Sequence, residues 1–159
     1  VRYFEDYIPG TVTVLETVKV TETEIVEFAL RYDPQPFHVD VEASNAGPFG
    51  AVIASGWHTC ALANRALVTG YLAPESNLPS PGIGDLRWPT PVRAGDTLTW
   101  RATVIEARPS RSKPDRGIVH TGIEGTNQDG ETVLSFTAVN MIRRATPDRS
   151  AGAADAGST

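Results

Sequence analysis

One cysteine, Cys60, occurs in the chain, which excludes an internal disulfide and leaves no cysteine cluster for zinc. No apolar run is long enough to cross a bilayer as a helix, and no secretory-signal pattern is read. Positive charge is also in deficit, with 14 Lys and Arg against 19 Asp and Glu and a formal net charge of -5. That balance argues against a nucleic-acid surface. What is present is 159 residues, 40% hydrophobic and 21% charged. The expectation is one soluble, cytoplasmic domain able to bury a core without metal or disulfide support.

The segment most suggestive of chemistry is Tyr32-Asp33-Pro34-Gln35-Pro36-Phe37-His38-Val39-Asp40. It sets a carboxylate, Asp33, five residues before an imidazole, His38. Pro34 and Pro36 lack a backbone donor, and each disfavours helical geometry in the residue before it. An extended or turned, stiffened segment is expected. A carboxylate and a neutral imidazole held together can position a water and move its protons near neutral pH.

Around it, residues 11–20 alternate apolar and polar side chains, as a strand does. Thr21 and Glu24 form a capping-box pattern, and Ile25, Phe28 and Ala29 follow at helical spacing. That helix must stop before Asp33-Pro34. A short helical turn is expected after His38, capped by Asp40 and closed by Gly47-Pro48. Between Gly50 and Asn64 the only side chain able to carry charge is His58. Ser55 reads as an N-cap and Gly70 as the C-terminal stop of a helix apolar or small nearly all round, hence buried on most sides.

After a Pro-rich loop, residues 72–81, apolar runs recur at 83–88, 97–107, 117–126 and 132–143. Leu98, Trp100, Ala102 and Val104 share one face, as do Leu134, Phe136 and Ala138. Asn127-Gln128-Asp129-Gly130 and Arg93-Ala94-Gly95-Asp96 read as hairpin turns. An α+β fold follows, an antiparallel sheet curved around the apolar helix. The domain is expected over residues 1–144, with 145–159 a disordered tail.

The chain resembles the MaoC-like, or (R)-specific enoyl-CoA hydratase, branch of the hotdog fold. The residues that carry the likeness are the 32–40 segment, Gly50 to Trp57, and Pro81-Gly82-Ile83 through Asp96. Arg108 to Ser112 and Asn127 to Gly130 also fit, so the likeness runs from about residue 5 to 144. It implies a single hotdog domain that hydrates a trans-2-enoyl thioester, or dehydrates the (R)-3-hydroxyacyl thioester. By position, Asp33 and His38 would hold and activate the water, and the Gly56 N–H would face the thioester oxygen. A first-turn amide has no intrahelical partner, and such a donor can lower the barrier by about 3 kcal/mol.

The resemblance further implies no metal or redox cofactor, with coenzyme A entering only as part of the substrate. It also implies a homodimer formed by joined sheets, with the acyl groove between subunits. Gln35, Phe37 and Ser55 stand where the family often has Asn, Leu and His. Phe37 and Trp57 are therefore expected beside the acyl group. The enzyme rival is a hotdog thioesterase; the non-catalytic rival is an acyl-thioester binding protein.

Several residues keep plainer readings. Asp40 reads as a helix cap, His58 as a core or interface histidine, and Cys60 as a small buried residue. Asn64 either bonds Asp33 from the core side, as part of the substrate site with Ser55, or meets a partner subunit. The basic cluster Arg108, Arg111, Lys113 and Arg116 suits a solvated loop better than a phosphate site. Trp88 and Trp100 read as packing strand residues.

Overall fold

The computed structural model describes residues 1–146; the remainder of the expected tail lies outside the described residues. After a 3-10 turn at Phe4–Asp6, the order is β1 (Val12–Lys19), α1 (Glu22–Tyr32), α2 (Pro36–Val39), α3 (Val41–Ala46) and α4 (Gly56–Gly70). Four strands follow: β2 (Asn77–Arg87), β3 (Thr97–Pro109), β4 (Arg116–Thr126) and β5 (Thr132–Arg143). They form one antiparallel sheet with β1, in the order β1-β3-β4-β5-β2. Among the described residues no helix is long and apolar enough to cross a membrane.

Local chemistry sets the helix starts. The Thr21 hydroxyl accepts from Glu24 N–H at 3.2 Å, and Glu24 accepts from Thr21 N–H at 3.0 Å, completing the capping box. Asp40 caps α3 by accepting from Ala43 N–H at 2.9 Å. In the sheet, the Leu98-Trp100-Ala102-Val104 face of β3 and the Leu134-Phe136-Ala138 face of β5 are both buried. The buried side of α4, through Ala63, Ala66 and Leu67, joins the same core. The Asn127 side chain organises the β4–β5 hairpin by accepting from the N–H of Asp129 and of Glu131, each at 3.0 Å. Gly130 takes the left-handed conformation, φ 76°, that the turn requires.

Four local expectations are corrected. The loop expected over 72–81 gives way to strand at Asn77, with Pro79 and Pro81 inside β2. Prolines are tolerated there because β2 is an edge strand. Ser80 also offsets the missing donors, its hydroxyl donating to Val139 O at 2.6 Å. Residues 93–96 do form a tight turn, with Asp96 N–H donating to Arg93 O at 3.0 Å. It is not a hairpin, since β2 pairs with β5 while β3 lies between β1 and β4.

Gly70 is the last residue of α4 rather than a left-handed stop, and the cap is Tyr71. Finally, α4 is buried on one side only. Trp57, Asn64 and Val68 remain exposed.

Candidate active site

The site grows from the end of α1. Pro34 forbids another helical turn, so Asp33 becomes the C-cap, outside the helical region at φ -154° and ψ 66°. Its N–H still closes the helix on Ala29 O at 2.8 Å. The chain then makes one turn of helix, α2, instead of staying extended. Pro36 permits this because it occupies the first helical position, where a missing N–H costs nothing. That turn carries His38 inward, to 5% exposure.

His38 Nδ1 lies 2.6 Å from the carbonyl oxygen of Ile53. A carbonyl only accepts, so Nδ1 carries the proton and, in the neutral ring, Nε2 is an acceptor. Nε2 sits 3.3 Å from Asp33 Oδ2. Asp33 is itself held by two donors: Gln35 Nε2 to Oδ1 at 2.6 Å and the Ser55 hydroxyl to Oδ2 at 2.7 Å. These bonds, Gln35 first and Ser55 second, keep its carboxyl below the usual carboxylate range. A carboxylate oxygen and an imidazole lone pair at this spacing are both satisfied by one water that donates a proton to each.

Ser55 is the N-cap of α4, and its oxygen also accepts from Trp57 N–H at 3.2 Å. Gly56 is the first helical residue, and its N–H has no acceptor among the described residues. Asp33, His38, Gly56 and Trp57 line one cavity of about 330 Å³. Its apolar end is formed by Ile53, Val92 and Val133, all buried. The cavity thus presents two adjacent acceptors, Asp33 Oδ2 and His38 Nε2, and a helix-start glycine.

Three residues named for the substrate site fall elsewhere. Ser55 is 0% exposed and sits behind the cavity, where it orients Asp33 and caps the helix. Phe37 faces a separate apolar groove with Pro36, Pro48 and Phe49. One turn of helix sends adjacent residues to different sides, and the Phe37 ring meets His38 only edge-on, 4.5 Å between centroids. Asn64 is exposed and lines a hollow beside Leu78, Ile83 and Asn140, without a bond to Asp33. Eight residues rotate an α-helix by about 80° beyond two full turns, enough to carry it off the Gly56 side.

Trp88 was missed. It lies just past β2, 43% exposed, instead of packing within a strand. Its Nε1–H donates to Gly56 O at 2.9 Å, and its ring lines the cavity. A Cβ on Gly56 would stand 2.7 Å from Trp88 Cε2, so close approach of the indole requires glycine there. The available sequence signal was Gly82 and Gly84 in β2, residues that permit the strand to shift register before Trp88.

The plainer readings stand close to observation. His58 is buried, stacked on Phe28 with centroids 4.8 Å apart, and burial pushes its pKa down against the pull of Glu24. Cys60 is only partly buried, not fully as expected; that burial still raises its pKa, which keeps it a thiol. Of the basic cluster only Arg111 and Lys113 lie in the loop; Arg108 falls within β3, where it approaches Glu106 at 3.8 Å, and Arg116 opens β4 and pairs with Asp115 at 2.8 Å.

Residues 6–126 match the model of the MaoC like domain, and the chain belongs to that family. It is 31% identical over 128 residues to 3-hydroxyacyl-thioester dehydratase Z of Mycobacterium tuberculosis, covering 79% of this chain and 83% of that protein. It is 38% identical over 74 residues to mesaconyl-CoA hydratase of Haloarcula marismortui, which is 46% of this chain but 21% of that protein. The chain therefore spans about a fifth of that relative's length. Among solved structures, the MaoC-like dehydratase from Rhodospirillum rubrum superposes with a TM-score of 0.83 at 39% identity, covering 91% of this chain and 99% of that one. The five-stranded sheet with its helix is accordingly the α+β hotdog fold, and the family is one of hydratases and dehydratases.

Proposed function

We propose that the cavity catalyses reversible addition of water to a trans-2-enoyl-CoA, giving a (R)-3-hydroxyacyl-CoA. The carrying observation is the 3.3 Å pairing of His38 Nε2 with Asp33 Oδ2 in the cavity that Gly56 also lines. The water gives one proton toward each acceptor and keeps its lone pairs for the substrate. Its oxygen bonds to C3 while the alkene electron pair moves toward the thioester oxygen. The Gly56 N–H stabilises the negative charge that develops there. The Asp33–His38 pair takes the proton released by the water and passes it to C2, which returns the pair to its starting state. The sum is addition of one water, with no change of oxidation state overall.

The family and both named relatives support this reading. A homodimer completes it. The edge of β2 and the exposed face of α4, with Val68 and Ile83 each about half exposed, suit contact with a second copy.

The test is a panel of short, long and branched trans-2-enoyl-CoA compounds, followed for loss of the conjugated alkene and for free thiol. Loss of alkene without thiol is expected. Thiol release would identify a thioesterase, and binding without either change a carrier. Asp33→Asn and His38→Ala are each expected to lower turnover at least about 100-fold while the fold persists.

A further inference from the structure

We propose that Trp88 is a positioning residue for the Gly56 amide, fixing the conformation of the helix-start glycine and hence the rate of the chemical step. The inference rests on the role given to Gly56 above. Glycine is the residue least able to hold its own backbone angles, because it lacks a Cβ. A donor aimed at developing charge contributes in proportion to how well it is fixed beforehand. The Ser55–Gly56 peptide, which carries the Gly56 N–H, is held by the helix through Thr59 N–H to Ser55 O at 3.1 Å. Something must also fix the Gly56–Trp57 peptide to lock the glycine between them.

The indole does so in two ways. Its Nε1–H holds the Gly56 carbonyl at 2.9 Å. Its ring also covers the space a Cβ would take, with Cε2 2.7 Å and Nε1 2.9 Å from that position. At the other end of the same peptide plane, Trp57 N–H is bound to Ser55 Oγ at 3.2 Å. The plane between Gly56 and Trp57 is thus pinned at both its oxygen and its hydrogen; the donor N–H lies in the preceding plane, so the indole acts by fixing ψ of Gly56 and not by touching the donor. Trp57 braces the indole in turn, edge to face with centroids 5.5 Å apart.

Core packing does not account for this placement. Trp88 is 43% exposed, whereas Trp100 is fully buried. The strand leading to it is also distorted. β2 changes register twice against β5, and Asp85 adopts φ 52°, a left-handed conformation unusual outside glycine. Such irregularities re-aim the following side chain, and here that side chain is set over the start of α4.

The test replaces Trp88 by its isostere 3-benzothienylalanine, which keeps the ring shape and lacks the N–H, alongside Trp88→Phe. Hydration of trans-2-butenoyl-CoA, thermal unfolding and the NMR order parameter of the Gly56 amide are measured on the full chain. In the isostere, kcat is expected to fall about 10-fold as the donor drifts, with KM held within about 2-fold. The melting temperature stays at the wild-type value, and the Gly56 order parameter falls. Trp88→Phe is expected to show the same split, with a larger loss of kcat.

Unchanged kcat and an unchanged Gly56 order parameter in the isostere would overturn the proposal. So would a rise in KM with kcat preserved, which marks a substrate wall only, or a loss of activity that tracks melting. If wild type hydrates no thioester, the functional reading fails. The Gly56 order parameter then decides the role of Trp88, a fall supporting it and constancy refuting it.

Discussion

The Ser55 hydroxyl that caps α4 donates to Asp33 Oδ2 over 2.7 Å, tying the start of the central helix to the acidic member of the site. One oxygen therefore serves folding and chemistry together, since it also accepts from Trp57 N–H. Ser55→Ala is expected to cost about 1 kcal/mol as a lost cap. It also frees the Asp33 side chain to turn away from His38. A urea titration and steady-state rates separate the two effects. A variant destabilised by this amount yet fully active would show that Asp33 needs no help from Ser55.

The same hydrogen bonds set a pH dependence. Gln35 is the largest influence holding the Asp33 carboxyl below its usual range, and Ser55 the next. A carboxyl with a depressed native pKa stays charged to lower pH. Its contribution to stability is present above the unfolded value and is lost as pH falls through the native one. Activity that needs the carboxylate follows the same sign. Gln35→Leu is expected to shift the acid limb of the kcat profile to higher pH, toward the ordinary Asp range. An acid limb that stays in place assigns it to another group.

A third expectation concerns the core behind the cavity. A Cβ at Gly125 would lie 2.2 Å from Trp100 Cζ3, and Trp100 is 0% exposed with no room to retreat. Gly125→Ala is expected to destabilise by roughly 2–3 kcal/mol through overpacking. Gly117→Ala meets Phe4 at a similar 2.1 Å. Phe4 belongs to a short turn near the N-terminus and can shift, so the smaller loss is expected there. Urea midpoints at unchanged slope measure both. Equal losses would refute the distinction.

What the sequence revealed divides by range. The caps at Thr21, Asp40 and Ser55 were legible because each is a bond between residues no more than three apart. Alternation in β3 and β5 was legible because period-two burial needs only one occupied face. Asp33 and His38 were placed together correctly because prolines restrict the chain between them. Phe37 was misplaced because the segment closes into a helical turn, which sends neighbours apart. Trp88 was misread because its position follows from β2 irregularities and a bond to a residue 32 positions earlier. No local pattern encodes that contact. Asn64 shows the same limit from the other side, as a helical phase error of less than a quarter turn moved it to a different surface.

That surface carries the last expectation. Val68 on α4 and Ile83 on β2 are 49% and 50% exposed, and among the described residues β2 pairs only with β5. Pro79 and Pro81 cannot donate to a further strand, so pairing across the β2 edge must use the half from Gly82 to Arg87. Across a two-fold axis each patch meets its own copy, and one substitution places two like charges in the contact. Ile83→Glu and Val68→Glu are therefore expected to yield monomers in sedimentation while circular dichroism stays native. Turnover should fall with them, because the proposed groove is completed by the second copy. Wild type that sediments as a monomer at micromolar concentration would refute the dimer. Monomeric variants with full activity would instead place the whole groove within one chain.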